Sequence, residues 1–258
     1  MLIAMPMPSL AATNELWFPV GEKLTYKLYW GIVRVGISHL TSEWLEEDGK
    51  RYVVLKARAS TTAVVDKIYP IDDYIESTID PETFLPVKYV QKLKEGRHVR
   101  DDTIVFDHKN RKAYWTSGLT NAAKVIDIDP DTRDVLTLTY YMRPKGGEIG
   151  EKDDFRVLVD DKLYSLGVTV IDREKLDVPG FDEVMCIKVE PMAKFGSIFM
   201  HKGKIQIWFS DDKYRICTKM VGQVPVANVK AVLTGVDGWE DGKWGGHVEE
   251  KSESDGQE

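Results

Sequence analysis

The chain has 258 residues, a formal net charge of −7, and a composition that is 43% hydrophobic and 30% charged. That is the balance of a soluble globular protein, long enough for one large β domain or two small ones. Lysine and arginine are spread along the chain and form no patch, so the composition speaks against a nucleic-acid-binding role.

The first residues read MLIAMPMPSLAATNELW, an apolar stretch ending in Ser9-Leu10-Ala11. This is the small-x-small pattern cleaved from secretory signals, without the basic segment that usually precedes it. Residues 1–11 are therefore expected to be the remnant of a signal, with a mature, exported protein beginning near Ala12; the alternative is a disordered apolar N-terminus. The stretch is too short to span a bilayer, and no other segment approaches the ~20 apolar residues that a spanning helix needs. No cysteine follows the cleavage point, so the common lipoprotein route is not indicated.

From Lys23 onward the dominant signal has a period of two. Leu24, Tyr26, Leu28 and Trp30 share one face, and Val33, Val35 and Ile37 continue past the turn-like Gly31. Val53, Leu55, Ala57 and Ala59 form a second set, followed by Ile104 with Phe106 and Ala113 with Trp115. Turn signals at 47–49, 107–110 and 178–180 separate such runs, which predicts an antiparallel sheet of many strands. One segment breaks the pattern. Asp129-Pro130-Asp131 precedes an uncharged run from Val135 to Met142, and Pro144 with Gly146-Gly147 follows it. These are helix start and stop signals, so one helix is expected over about 130–143, packed against the sheet.

The helical segment divides the β-rich region 17–235 into 17–118 and 148–235, which are read either as one domain or as two halves. In the second part Leu166, Val168 and Val170 alternate, as do Ile205, Ile207 and Phe209, then Val229, Ala231 and Leu233. The stretch at 203–223 repeats the grammar of 73–93: a strand, a polar turn opened by aspartate, an aromatic residue, and a return strand with lysine. Duplication and two hairpins obeying the same rules explain this echo equally well. Residues 236–258 are glycine-rich and acidic and are expected to form a flexible tail, on which Trp239 and Trp244 either dock a partner or pack back onto the domain.

No catalytic residue is assigned. The aspartate pairs at 72–73, 101–102, 153–154, 160–161 and 211–212 are read as turn and strand-edge residues, because neighbouring side chains on a strand point to opposite faces. The five histidines show no zinc pattern, and no metal or cofactor is expected. Cys186 and Cys217 are either a disulfide or two buried thiols. The aromatic residues Trp30, Tyr69, Tyr74, Trp115, Phe199 and Trp208 are the candidate lining of an apolar ligand site. Trp208 falls on the opposite face from Ile207 and Phe209, so it either lines a cavity or packs under a covering element.

Five blocks carry a family resemblance: FPVGEKLTYKLYWGIVRVG (18–36), VDKIYPIDDYIESTIDPETFLPVKY (65–89), DVLTLTYYMR (134–143), GKIQIWFSDDKYRICTKM (203–220) and VANVKAVLTG (226–235). Together they resemble the exported bacterial family known as domain of unknown function 3108, over about residues 18–235. The chain departs from it at Cys217, where the family usually has proline, as this chain has at the echoing Pro86. The resemblance implies a β-rich fold and export to a Gram-negative-type envelope, and supplies no activity.

The resulting expectation is a mainly β protein, a large curved antiparallel sheet or partly closed barrel with one packed helix. Its expected role is non-enzymatic: binding a lipid, a glycan, another apolar small molecule or an envelope protein on the curved sheet. The alternatives are an assembly module acting through a sheet edge or the tail, and a hydrolase of envelope glycan or lipid.

Overall fold

The structure of the protein is a computed structural model that describes residues 16–195, 198–199, 205–223, 228–239 and 244. The first part of the chain runs β1 (Lys23–Trp30), β2 (Val33–Glu47), β3 (Lys50–Thr61), the one-turn α1 (Ala63–Asp66), β4 (Asp72–Asp80), β5 (Leu85–Glu95), β6 (His98–Asp107), β7 (Lys112–Ser117) and β8 (Ala123–Asp127). After α2 (Val135–Tyr141) come β9 (Lys152–Val159), β10 (Lys162–Asp177), β11 (Glu183–Phe195), β12 (Ile198–Phe199), β13 (Ile205–Ser210), β14 (Cys217–Gln223) and β15 (Asn228–Asp237).

The strands form one antiparallel sheet in the order β8-β7-β6-β5-β4-β3-β2-β1-β15-β14-β13-β11-β10-β9, with β12 hanging from β11. The mainly β, barrel-like expectation is met. Two meanders meet where β1 pairs with β15, so one continuous sheet runs through both β-rich parts of the chain. The sheet does not close, because β8 and β9 are its two ends and do not pair. Its ends nevertheless approach. Leu158 of β9 packs into the cluster of Ile104, Phe106, Ala113 and Ile126. The connecting backbone docks on β9: Arg133 N–H donates to the Arg156 carbonyl at 2.9 Å, and Leu158 N–H donates to the Arg133 carbonyl at 2.8 Å.

This use of Arg133 corrects the predicted helix start. Residues 129–134 form a turn and an extended bridge to β9, and the N-cap is Asp134, whose carboxylate accepts from Thr137 N–H at 2.8 Å. α2 lies inside the curve of the sheet. Leu136 and Tyr140 pack on Val53, Leu55, Ile79 and Phe84, while Leu138 and Met142 pack on Phe155, Val157, Ile187 and Phe209. One short helix thus touches both walls. Beyond its C-terminus Arg143 makes a bidentate pair with Glu22 (2.6 and 3.0 Å) and donates to the Tyr214 carbonyl at 3.0 Å. The two charged side chains are 3% and 0% exposed, so each is the other's substitute for water.

The echoing hairpins share their geometry. Register shifts occur before Ile79↔Pro86 in one and before Phe209↔Cys217 in the other. Asp80 accepts from Glu82 and Thr83 N–H groups, and Asp212 from Tyr214 and Arg215 N–H groups. Phe84 and Arg215, two residues before those partners, have φ of 53° and 49°. A shift in the ladder is a position where proline's missing N–H does little harm, which accounts for Pro86. The aspartates at 211–212 are turn-formers. Both tail tryptophans pack back onto the domain: Trp244 is 2% exposed, donates to Asp212 at 2.8 Å and packs on Phe181, and Trp239 packs edge-on against Tyr214.

Replacing Glu22 by Ala strands the Arg143 guanidinium without a countercharge. The expected loss is about 3–5 kcal/mol of unfolding free energy in urea titration. The double replacement Glu22→Leu, Arg143→Met should recover most of it, and a single-variant loss under about 1 kcal/mol contradicts the role given to the pair.

Candidate functional site

Seven residues of helix extend about 10 Å, whereas the twelve residues of β3 extend about 40 Å. α2 therefore fills only part of the concave face. The strand registers show which part. Along β3 and β4 the inward positions beside the helix, Val53, Leu55 and Ile79, are each 0% exposed. The inward positions further along the same strands, Ala57, Ala59 and Ile75, are only half-buried. The same change occurs across the sheet: Leu28 and Ser38 on β1 and β2, Leu166 on β10, Met220 on β14 and Ala231 on β15 are half-buried although they point inward.

We call this half-buried stretch of the inner face, beyond the helix, the cup. Its wall includes small side chains at Ser38, Ala57, Ala59 and Ala231, which leave space where larger residues would meet across the barrel. Leu28, Ile75, Leu166 and Met220 add apolar surface, while beside Ala59 and Ile75 the inward positions of β4, β5 and β6 are the polar Asp73, Gln91 and Asp102. At its mouth Trp30 and Val229 pair across β1 and β15 and are 49% and 44% exposed, and Ile205 is 47% exposed. At its floor the Asp134 carboxylate accepts from Ser77 Oγ at 2.6 Å and Thr137 Oγ1 at 2.7 Å. Burial pushes this carboxyl above its ordinary range, against the opposing effect of those hydrogen bonds. No cluster of three or more metal-ligating side chains occurs among the described residues.

The six aromatic candidates do not converge. Trp30 faces the mouth of the cup. Tyr69, 47% exposed, lies at the same end of the barrel over Gly96, where a Cβ would stand 2.7 Å from its ring. Trp115 packs beside Ile104 and Ile126 on the inner face of β7, its Nε1 without a partner. Tyr74 alternates with the inward Ile75 and hydrogen-bonds Glu76 on the outer face. Phe199 lies on β12, and its side chain is outside the described residues. Trp208 is a packed outer-layer residue, 4% exposed under Val178, Val184 and Trp244. Its Nε1 donates to Glu174 at 2.7 Å, and the ammonium groups of Lys188 and Lys219 lie 4.8 and 4.6 Å from its ring.

The cysteines are free. β13 lies between β11 and β14, so Cys186 and Cys217 are separated by two strand spacings, near 9–10 Å, beyond disulfide reach. Burial pushes their thiols up to about 11 and about 12, so neither is a thiolate at neutral pH. Asp102 departs from the turn reading: it sits in mid-β6, buried, and accepts from Gln91 Nε2 at 3.1 Å. The same amide donates to Asp160 at 3.1 Å, and Arg100 pairs with Asp160, so this cluster ties the β9–β10 turn to β5 and β6. Sequence reasoning assigned nothing to Gln91, Glu22 or Arg133, because nothing local marks a side chain whose partner lies tens of residues away.

The sequence family described as "Protein of unknown function (DUF3108)" matches residues 25–234. The chain belongs to the DUF3108 family. No curated protein matches it. Among solved structures this DUF3108 chain is similar to a β-barrel-like protein of domain of unknown function DUF1849 from Brucella abortus, with a TM-score of 0.60, 12% identity, and coverage of 88% of this chain and 100% of that one. At that identity the likeness concerns the fold alone. A protein provisionally named a lipoprotein from Parabacteroides distasonis covers 86% of this chain and 98% of its own at 9% identity and a TM-score of 0.34. A DUF1089 family protein from Pseudomonas aeruginosa covers 77% and 93% at 14% identity, with the same TM-score. No helix among the described residues is long and apolar enough to cross a membrane.

The floor of the cup makes a pH prediction. The raised Asp134 carboxyl contributes stability that is fully present below the unfolded value, about 3.9, and is lost as pH rises through the folded value. Asn at this position can still accept from Ser77 and Thr137 but does not titrate. The unfolding free energy of Asp134→Asn should therefore gain on that of the native chain as pH rises from acid to neutral. Parallel pH profiles for the two proteins would contradict this.

Proposed function

We infer that this DUF3108 chain is a non-enzymatic envelope protein that holds an elongated apolar ligand, a lipid acyl chain, in the cup above α2. One observation carries the reading: Val53, Leu55 and Ile79 are sealed by the helix, Ala57 and Ile75 are only half-buried at the edge of that cluster, and Ala59, the next inward position, lies outside it. A sheet that merely needed a core would place large side chains there. Instead Ser38, Ala57, Ala59 and Ala231 stand there, small residues among flexible aliphatic ones, which suits a hydrocarbon chain. A glycan fits less well, since the inward polar groups Asp73, Gln91 and Asp102 already hydrogen-bond within the protein and sugars need many fixed polar partners. Export to the envelope is the location expected from the resemblance and the N-terminal pattern, and there the reading gives the protein a carrier or sensor role.

Native mass spectrometry of the protein purified from its own envelope tests this. The expected result is a population carrying a lipid-sized adduct. The variant Ala59→Phe should lose the adduct with its thermal midpoint nearly unchanged, because Ala59 lies outside the cluster packed on the helix and a ring there meets no core side chain. Absence of an adduct together with no binding of a fluorescent fatty acid by the native chain contradicts the reading. So does a filled variant that binds as well as the native chain.

A further inference from the structure

The mouth of the cup is flanked by two projecting tips with unusual surfaces. The β1–β2 turn presents Ile32, 93% exposed, and Val33, 57% exposed. The segment around α1 presents Val64 and Ile68, 74% and 84% exposed. The tips are neighbours, since Thr62 N–H donates to the Val35 carbonyl at 2.9 Å. The β5–β6 turn is tied to the second tip by Gly96 N–H donating to the Pro70 carbonyl at 2.8 Å. Single exposed aliphatic residues are ordinary on protein surfaces, but four on adjoining tips form a patch that usually marks an interaction site.

The chemistry around the patch favours one occupant. Trp30 and Tyr69, half-exposed, stand just behind the aliphatic ends. The cations Arg34, Arg58, Lys67, Lys94 and Arg97 lie on the strand ends and turns at this end, against Asp66, Asp72, Asp73 and Glu95, so on a chain whose net charge is −7 this end is not acidic. Aliphatic ends, a Trp/Tyr belt behind them and flanking basic residues are the arrangement of a surface that enters the boundary between lipid headgroups and acyl chains.

We propose that the Ile32 and Ile68 tips dock this end of the barrel onto a lipid bilayer, so that an acyl chain passes between membrane and cup past Trp30 without crossing water. This proposal rests on the reading of the cup as an acyl-chain site and adds to it the source of the chain. Burying two isoleucines and two valines in the interface supplies the binding, and the basic residues add preference for anionic lipid.

The test is flotation of the full chain with vesicles of phosphatidylcholine, and with vesicles of an equimolar phosphatidylcholine–phosphatidylglycerol mixture. The native chain should float with both, more with the mixture. Ile32→Asp combined with Ile68→Asp should reduce flotation at least about tenfold. The same variant should bind a monomeric fluorescent fatty acid in vesicle-free buffer like the native chain, and keep its thermal midpoint. Failure of the native chain to float while it binds the fatty acid overturns the docking surface and leaves the cup standing. Equal flotation of the native chain and the variant overturns it as well, since another surface is then responsible. Loss of a co-purifying protein on Ile32→Asp, with no flotation of the native chain, assigns the tips to a protein partner instead and likewise overturns the proposal. Failure to bind the fatty acid counts against the cup itself.

Discussion

The Glu22–Arg143 pair joins the end of the buried helix to the segment that enters the first strand, and the rest of the architecture depends on where it holds that helix. An open antiparallel sheet with two unpaired ends has no intrinsic reason to curl to one radius. Here the radius is set by what lies inside. α2 touches β3 and β4 through Leu136 and Tyr140, and β9 to β14 through Leu138 and Met142. At its N-terminal side Arg133 bridges to β9 and donates to the Phe84 carbonyl at 3.2 Å, with its guanidinium 3.5 Å from the Tyr141 ring centre. Asp134 fastens the same end to Ser77. A two-turn helix anchored at both ends by buried charged groups acts as a spacer between the two walls of the sheet.

The same spacer explains the unfilled half of the interior. The strands are several times longer than α2, so the wall beyond Ser77 must be filled by its own side chains or left open. Ala57, Ala59, Ser38 and Ala231 are too small to meet across it. Space within the barrel and the apolar tips beside its mouth are thus two outcomes of one design, a short plug placed off-centre in a long sheet.

Much of the fold was legible because its signals are local. Alternation from Leu24 to Trp30 and from Val53 to Ala59 reports strands directly, and Asp80 and Asp212 form the turns that their neighbours imply. Even the cup left a trace, since Val53 and Leu55 give way to Ala57 and Ala59 on one face. The trace could not be interpreted without knowing that the helix ends short of them. The helix start was placed too early because Asp129-Pro130 imitates a cap, whereas Arg133 is taken by a bridge to β9, 24 residues beyond it at Val157. Trp208 could not be assigned from sequence, because its cover comes from the β10–β11 hairpin and from Trp244. Large aromatic residues drew attention as ligand contacts, yet Trp115 and Trp208 serve packing, and the half-buried inner face is marked by residues too small to attract notice.

The central claim is that the interior is sealed below Ser77 and open above it to a hydrocarbon chain. A crystal structure grown with a long-chain fatty acid tests this most directly. The account predicts continuous density entering past Trp30 and Val229, running along Ala59 and Ala57, and stopping at Asp134 and Thr137 above an undisturbed helix. A cup closed by its own side chains, or a fatty acid bound elsewhere with the cup empty, would contradict it.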